Sequence, residues 1–204
     1  MRDFVKIVFS AVLAAALPGP DASAQGRVIQ LPQFNSVEVS DGGHVVIRYG
    51  SSQRVTLVRG DLNYTKMRVT ADGVLLIRNL RHESRGYRSD VEIEMPGITR
   101  LLMSNGGWIR VLGPFPRQGE IEVEVDNGGT IDTRSMVVDK ITASVDQGGR
   151  IFAMPTSWLY ASISHGGVIT YWGNPQVKRS ILDGGVVQKG EAEELTASLF
   201  EDGH

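Results

Sequence analysis

The chain has 204 residues, 41% apolar and 22% charged, which permits one folded domain with a sizeable core and excludes disorder along its whole length. A formal net charge of -2, from 21 basic and 23 acidic residues, gives no electrostatic footprint for a nucleic acid or an anionic membrane. No cysteine is present, which excludes disulfides, thiolate catalysis and cysteine-held metals or clusters.

Residues 1–24 read as an export signal. Arg2 and Lys6 give a basic start, Ile7 to Leu17 an apolar run, and Ala22-Ser23-Ala24 an A-x-A cleavage box. The run is shorter than the ~20 residues a spanning helix needs. The mature chain is expected to begin at Gln25 as a single domain, 25–204, with no membrane span of its own. Its destination is the periplasm, the cell surface or the medium. No cysteine follows the box to carry a lipid anchor.

Residues 34–100 predict strands with a loose rhythm. FNSVEVSDGGHVVIRYG reads as two strands around a glycine turn. Further strands are expected near 55–58, 67–69 and 74–78, with Asp72-Gly73 as a tight turn. RHESRGYRSD (81–90) is a polar surface excursion, and DVEIEM (90–95) alternates as a strand does. The segment suits either irregular coils or a small sheet covering one end of the more regular C-terminal stretch.

Residues 101–190 repeat. MSNGGWI, VDNGGTI, VDQGGRI, ISHGGVI and ILDGGVV align on the pairs Gly106-Gly107, Gly128-Gly129, Gly148-Gly149, Gly166-Gly167 and Gly184-Gly185, and VSDGGHV (39–45) is an outlying sixth. The pairs start 22, 20, 18 and 18 residues apart, too close for a helical crossover between strands. Met103, Val125, Val145, Ile163 and Ile181 stand three before each pair; Ile109, Ile131, Ile151, Ile169 and Val187 stand two after it. Such a unit cannot bury its apolar side alone, so the pattern predicts stacked coils with like residues in columns. The glycines are structural turns, where a sharp corner needs positive φ or close approach. Asn105, Asn127, Gln147, His165 and Asp183 precede the pairs and are expected to form a polar ladder. His165 is then a ladder residue rather than a catalytic one. GEAEELTASL (190–199) fits a short helix or a last strand.

The order of these motifs, from FNSVEVSDGGHVVIRYG through VRGDLN, DGVLLI and VEIEMPGITRLLMSNGG to GGVVQKG, resembles the auto-transporter adhesin, head GIN domain family of exported bacterial proteins. The resemblance spans about residues 34–190. It implies an all-β fold, a right-handed parallel β-helix with a more irregular N-terminal half, and a role in adhesion or surface binding. It carries over no catalytic residues. No translocator barrel follows in this chain.

Chemistry is thin. Ser40, Asp41 and His44 hold the residue types of a triad, but lie too near in sequence for its geometry, and no G-x-S-x-G elbow exists. Glu92, Glu94, Glu120, Glu122 and Glu124 suit a solvated strand face better than an acid–base pair. Asp126 and Asp146 share a column, without the repeat length of a calcium roll. No metal or cofactor is implied, and no phosphate loop follows the glycines. Trp158, Tyr160, Tyr171 and Trp172 are the candidate ligand surface, since aromatic faces stack on sugar rings. Trp108 lies in the column after the glycines. The expected function is a non-enzymatic, adhesin-like module for a glycan or another envelope component, with self-association open. A polysaccharide-cleaving β-helix enzyme and a periplasmic scaffold are the alternatives.

Overall fold

The structure, a computed structural model, describes residues 26–80 and 87–191. The export signal, the 81–86 part of the polar excursion and all but the first two residues of 190–199 lie outside the described residues. The N-terminal part runs through β1 (Arg27–Ile29), β2 (Ser36–Ser40), β3 (His44–Tyr49), β4 (Arg54–Arg59), β5 (Thr65–Val69), β6 (Val74–Asn79) and β7 (Asp90–Met95). The repeating part comprises β8 (Arg100–Ser104), β9 (Trp108–Leu112), β10 (Gln118–Asp126), β11 (Thr130–Asp132), β12 (Val138–Asp146), β13 (Arg150–Ala153), β14 (Pro155–Ser164), β15 (Val168–Tyr171), β16 (Gln176–Leu182) and β17 (Val186–Lys189).

The strands form two sheets, one in the order β1-β4-β7-β3-β9-β11-β13-β15-β17 and one in the order β16-β14-β12-β10-β8-β2-β6-β5. From β8 onward, each glycine corner passes the chain from the eight-stranded sheet to the nine-stranded one. Each return loop brings it back. The period-two pattern turns one side of every strand inward. In β10, Ile121, Val123 and Val125 are buried while Glu120 and Glu122 are exposed. The inward residues meet their counterparts in register. Ile109, Ile131, Ile151, Ile169 and Val187 form one parallel row. Met103, Val125, Val145, Ile163 and Ile181 form another. Their side chains fill the space between the sheets, and all but the terminal Ile181 are buried. Their removal from water is the main stabilising term.

The corners are local backbone chemistry. Asn105, Asn127, Gln147, His165 and Asp183 have φ between 53° and 58°, and both following glycines are also at positive φ. Asn and Asp tolerate this left-handed region better than other side chains. The first glycine of each pair faces open space. The second presses on the preceding strands: a Cβ on Gly149 would lie 2.5 Å from Val125 Cγ1.

The N-terminal half departs from simple repetition. The outlying VSDGGHV is a true corner between β2 and β3, and Asp41 there has φ 63°. Yet β2 sits between β6 and β8, and β3 between β7 and β9. The turn made by β2 and β3 is therefore inserted between two turns that come later in the chain. β1, β4 and β5 pair antiparallel at this end. So the expected all-β class is what the chain adopts, but as two open, mixed sheets rather than a uniform parallel stack. Asn79 fills the place where β6 has no glycine corner. It is 3% exposed, accepts from Thr65 Oγ1 at 3.0 Å and Ser89 Oγ at 2.9 Å, and donates through Nδ2 to the Gly42 carbonyl.

Candidate binding surface

The polar residues before the glycine pairs form a ladder over part of the stack. Asn105 Nδ2 donates to Asp41 Oδ1 at 3.1 Å, and Asn127 Nδ2 to Asn105 Oδ1 at 2.7 Å. His165 breaks the pattern: its Nδ1 meets Asp146 Oδ1, one residue before Gln147, at 2.8 Å. This hydrogen bond lifts the His165 pKa above its ordinary 6.5 and holds Asp146 below its ordinary 3.8. Both groups are solvent-exposed, so the effect on stability is small and screened by salt. The sign is set by linkage: the contribution is lost as pH rises through the raised His165 value, and as pH falls through the lowered Asp146 value. An NMR titration should place the His165 midpoint above 6.5, and Asp146→Asn should return it toward 6.5. An unmoved midpoint in that variant would show that the pair does not form in solution.

The triad residue types do not meet. Asp41 pairs with Arg78 at 3.0 Å and receives Asn105. His44 lies across the corner on the other sheet, stacked on Trp108 at 4.6 Å between centroids. Its Nδ1 comes within 3.2 Å of Asp90 Oδ1. Burial lowers the His44 pKa despite that carboxylate, so acid would charge His44 at a cost to the fold. A cavity of about 270 Å³ lies over His44, Val46, Val58, Asp90 and Trp108.

The carboxylates are engaged with cations across strands. Arg100 reaches Glu122 at 3.3 Å and Glu124 at 2.8 Å, and Lys140 holds Glu120 at 2.8 Å. Such pairs bind neighbouring strands, as expected of a solvated strand face. Glu92 and Glu94 lie exposed on β7, on the other sheet. Asp126 and Asp146 do stand side by side in register. Among the described residues no group of three or more metal-ligating side chains gathers.

The four candidate aromatics separate into two pairs. Trp172 is 4% exposed, donates from Nε1 to the Glu191 carbonyl at 2.9 Å, and packs near Phe152. Arg134 lies over both rings, at 4.9 Å from Phe152 and 5.1 Å from Trp172, and its guanidinium is forked onto Asp132. Tyr171 packs partly buried against the core. This pair secures the end of β15. Trp158 and Tyr160 instead project from the outer face of β14, partly exposed. Their rings stack at 5.7 Å with planes 17° apart. Lys178 Nζ lies 5.2 Å from the Trp158 centroid and 5.5 Å from that of Tyr160, and Lys140 Nζ lies 5.2 Å from Tyr160. Sequence reasoning missed the two lysines. The repeat alignment carries the signal: Tyr160 and Lys178 both stand six residues before their glycine pair, and Lys140 and Trp158 both stand eight before theirs.

Residues 33–153 match the family model described as "Putative auto-transporter adhesin, head GIN domain". Two similar solved structures are each described as a "putative adhesin". The one from Bacteroides fragilis has 13% identity, a TM-score of 0.48, and coverage of 83% of this chain and 97% of its own. The one from Parabacteroides distasonis has 16% identity, a TM-score of 0.47, and coverage of 81% and 96%. No curated protein matches the sequence.

Proposed function

Since this chain belongs to the auto-transporter adhesin, head GIN domain family, which its residues 33–153 match, we propose that it is an exported, non-enzymatic binding module of the bacterial envelope. It winds as a right-handed β-solenoid and meets a glycan with the outer face of its eight-stranded sheet. Support for the winding comes from the alternation between sheets at every glycine corner of β8 to β17, with inward residues in parallel register.

The glycan reading rests on one observation, the stacked pair Trp158 and Tyr160 on an open strand face. Aromatic rings offer sugar C–H groups an apolar, polarisable surface at small entropic cost. A flat sheet gives an extended chain room to lie along it. The reading singles out β14, which lies beyond the matched residues 33–153.

A glycan array probed with residues 25–204, beside an assay for polysaccharide cleavage, tests it. Binding without cleavage is expected. Trp158→Ala should weaken the bound glycan about tenfold and leave the melting temperature nearly unchanged, because the ring is not in the core. Unaltered binding in a folded Trp158→Ala protein would remove β14 as the surface.

A further inference from the structure

The outer face of the eight-stranded sheet changes charge along its length. β10 presents Glu120, Glu122, Glu124 and Asp126, while β14 and β16 present Trp158, Tyr160 and Lys178. Lys140 lies between and is held by Glu120. Lys178 forms no ion pair among the described residues. It stands on an edge strand, in register with Tyr160 and diagonal to Trp158, with its ammonium over both rings. A lysine on an edge strand discourages strand addition by itself. This one additionally lies within 5.5 Å of both ring centroids, which holds a positive charge beside the aromatic pair.

From this juxtaposition, and resting on the glycan reading above, we propose that the ligand is an acidic glycan. A polymer of uronic acid residues would lie along β14 and β16, its rings on Trp158 and Tyr160 and a carboxylate on Lys178. On β10 the glutamates are already paired with Arg100 and Lys140, so Lys178, without an ion pair among the described residues, makes this edge the favoured place for the polymer's carboxylates. A neutral glycan would gain no charge pairing from Lys178.

Titration calorimetry with polygalacturonate, its fully methyl-esterified form and poly-glutamate tests the proposal, with folding checked by circular dichroism. The free acid should bind about tenfold tighter than the neutral ester. That preference should shrink severalfold between about 0.05 M and about 0.5 M NaCl. Lys178→Gln should abolish the preference and leave ester binding intact, while Trp158→Ala should weaken both polymers. Equal affinity for acid and ester, or a preference that survives Lys178→Gln, overturns the acidic assignment and leaves the glycan reading standing. Poly-glutamate binding as tight as polygalacturonate overturns the assignment to a sugar. Failure of both polysaccharides to bind overturns the acidic assignment together with its premise.

Discussion

Gly149→Val should sharply lower the urea midpoint of unfolding, whereas Gly148→Ala should lower it only modestly. The two glycines are adjacent and share a corner, with φ of 113° and 84°. They differ in what surrounds them. A Cβ on Gly148 meets nothing within 4 Å, so alanine there bears the backbone cost alone, about 1–2 kcal/mol. A Cβ on Gly149 would lie 2.5 Å from Val125 Cγ1 and 3.1 Å from the Gly129 carbonyl. Val125 is itself buried in a close-packed row and cannot retreat. Overpacking on top of the backbone strain brings the cost to about 3–5 kcal/mol. That is a large share of the ~5–15 kcal/mol that holds a domain together. Urea melts of the two variants give the comparison, and equal midpoints would refute the distinction. From sequence alone, the glycine pairs mark sharp corners, and a β-branched residue at Gly148 is expected to be strongly destabilising. The structure assigns the larger cost to the second glycine, because only that one lies against Val125 and the Gly128-Gly129 corner.

Asn79→Ala should destabilise the N-terminal half by about 2–4 kcal/mol. Asn79 uses its carbonyl oxygen twice and its amide once, joining β6, the 42–43 corner and Ser89. Thr65 keeps a partner in Tyr87, at 2.8 Å. Ser89, at 0% exposure, loses its acceptor, and the Gly42 carbonyl loses its donor. A buried hydroxyl, a part-buried carbonyl and a small cavity remain. Asn79→Asp should not rescue the site, since a carboxylate would face the Gly42 carbonyl in place of an N–H. Urea unfolding of both variants reads the result. A midpoint shift within experimental error for Asn79→Ala would show that β6 does not depend on this hub.

Much of the repeating part is legible before any coordinates. The inward rows through Ile131 and Val125 arise from period two and from glycine pairs about twenty residues apart, because equal spacing brings equal residues into register. The candidate surface was only half legible. Trp158 and Tyr160 share strand parity with the outward glutamates of β10, so their exposure is readable. Tyr171 and Trp172 close a strand, and nothing local says that Arg134 from another turn will lie over the Trp172 ring.

The sequence by itself determined the strands, the glycine corners and the register of the parallel strands from residue 101 onward, since each depends on one repeat and the next. Tertiary structure alone decided that the turn of β2 and β3 is inserted between β6/β7 and β8/β9. It alone brought Lys178 over Trp158 and buried Trp172. These outcomes depend on which apolar row best covers another across distant stretches of chain, and a local pattern carries no record of that competition.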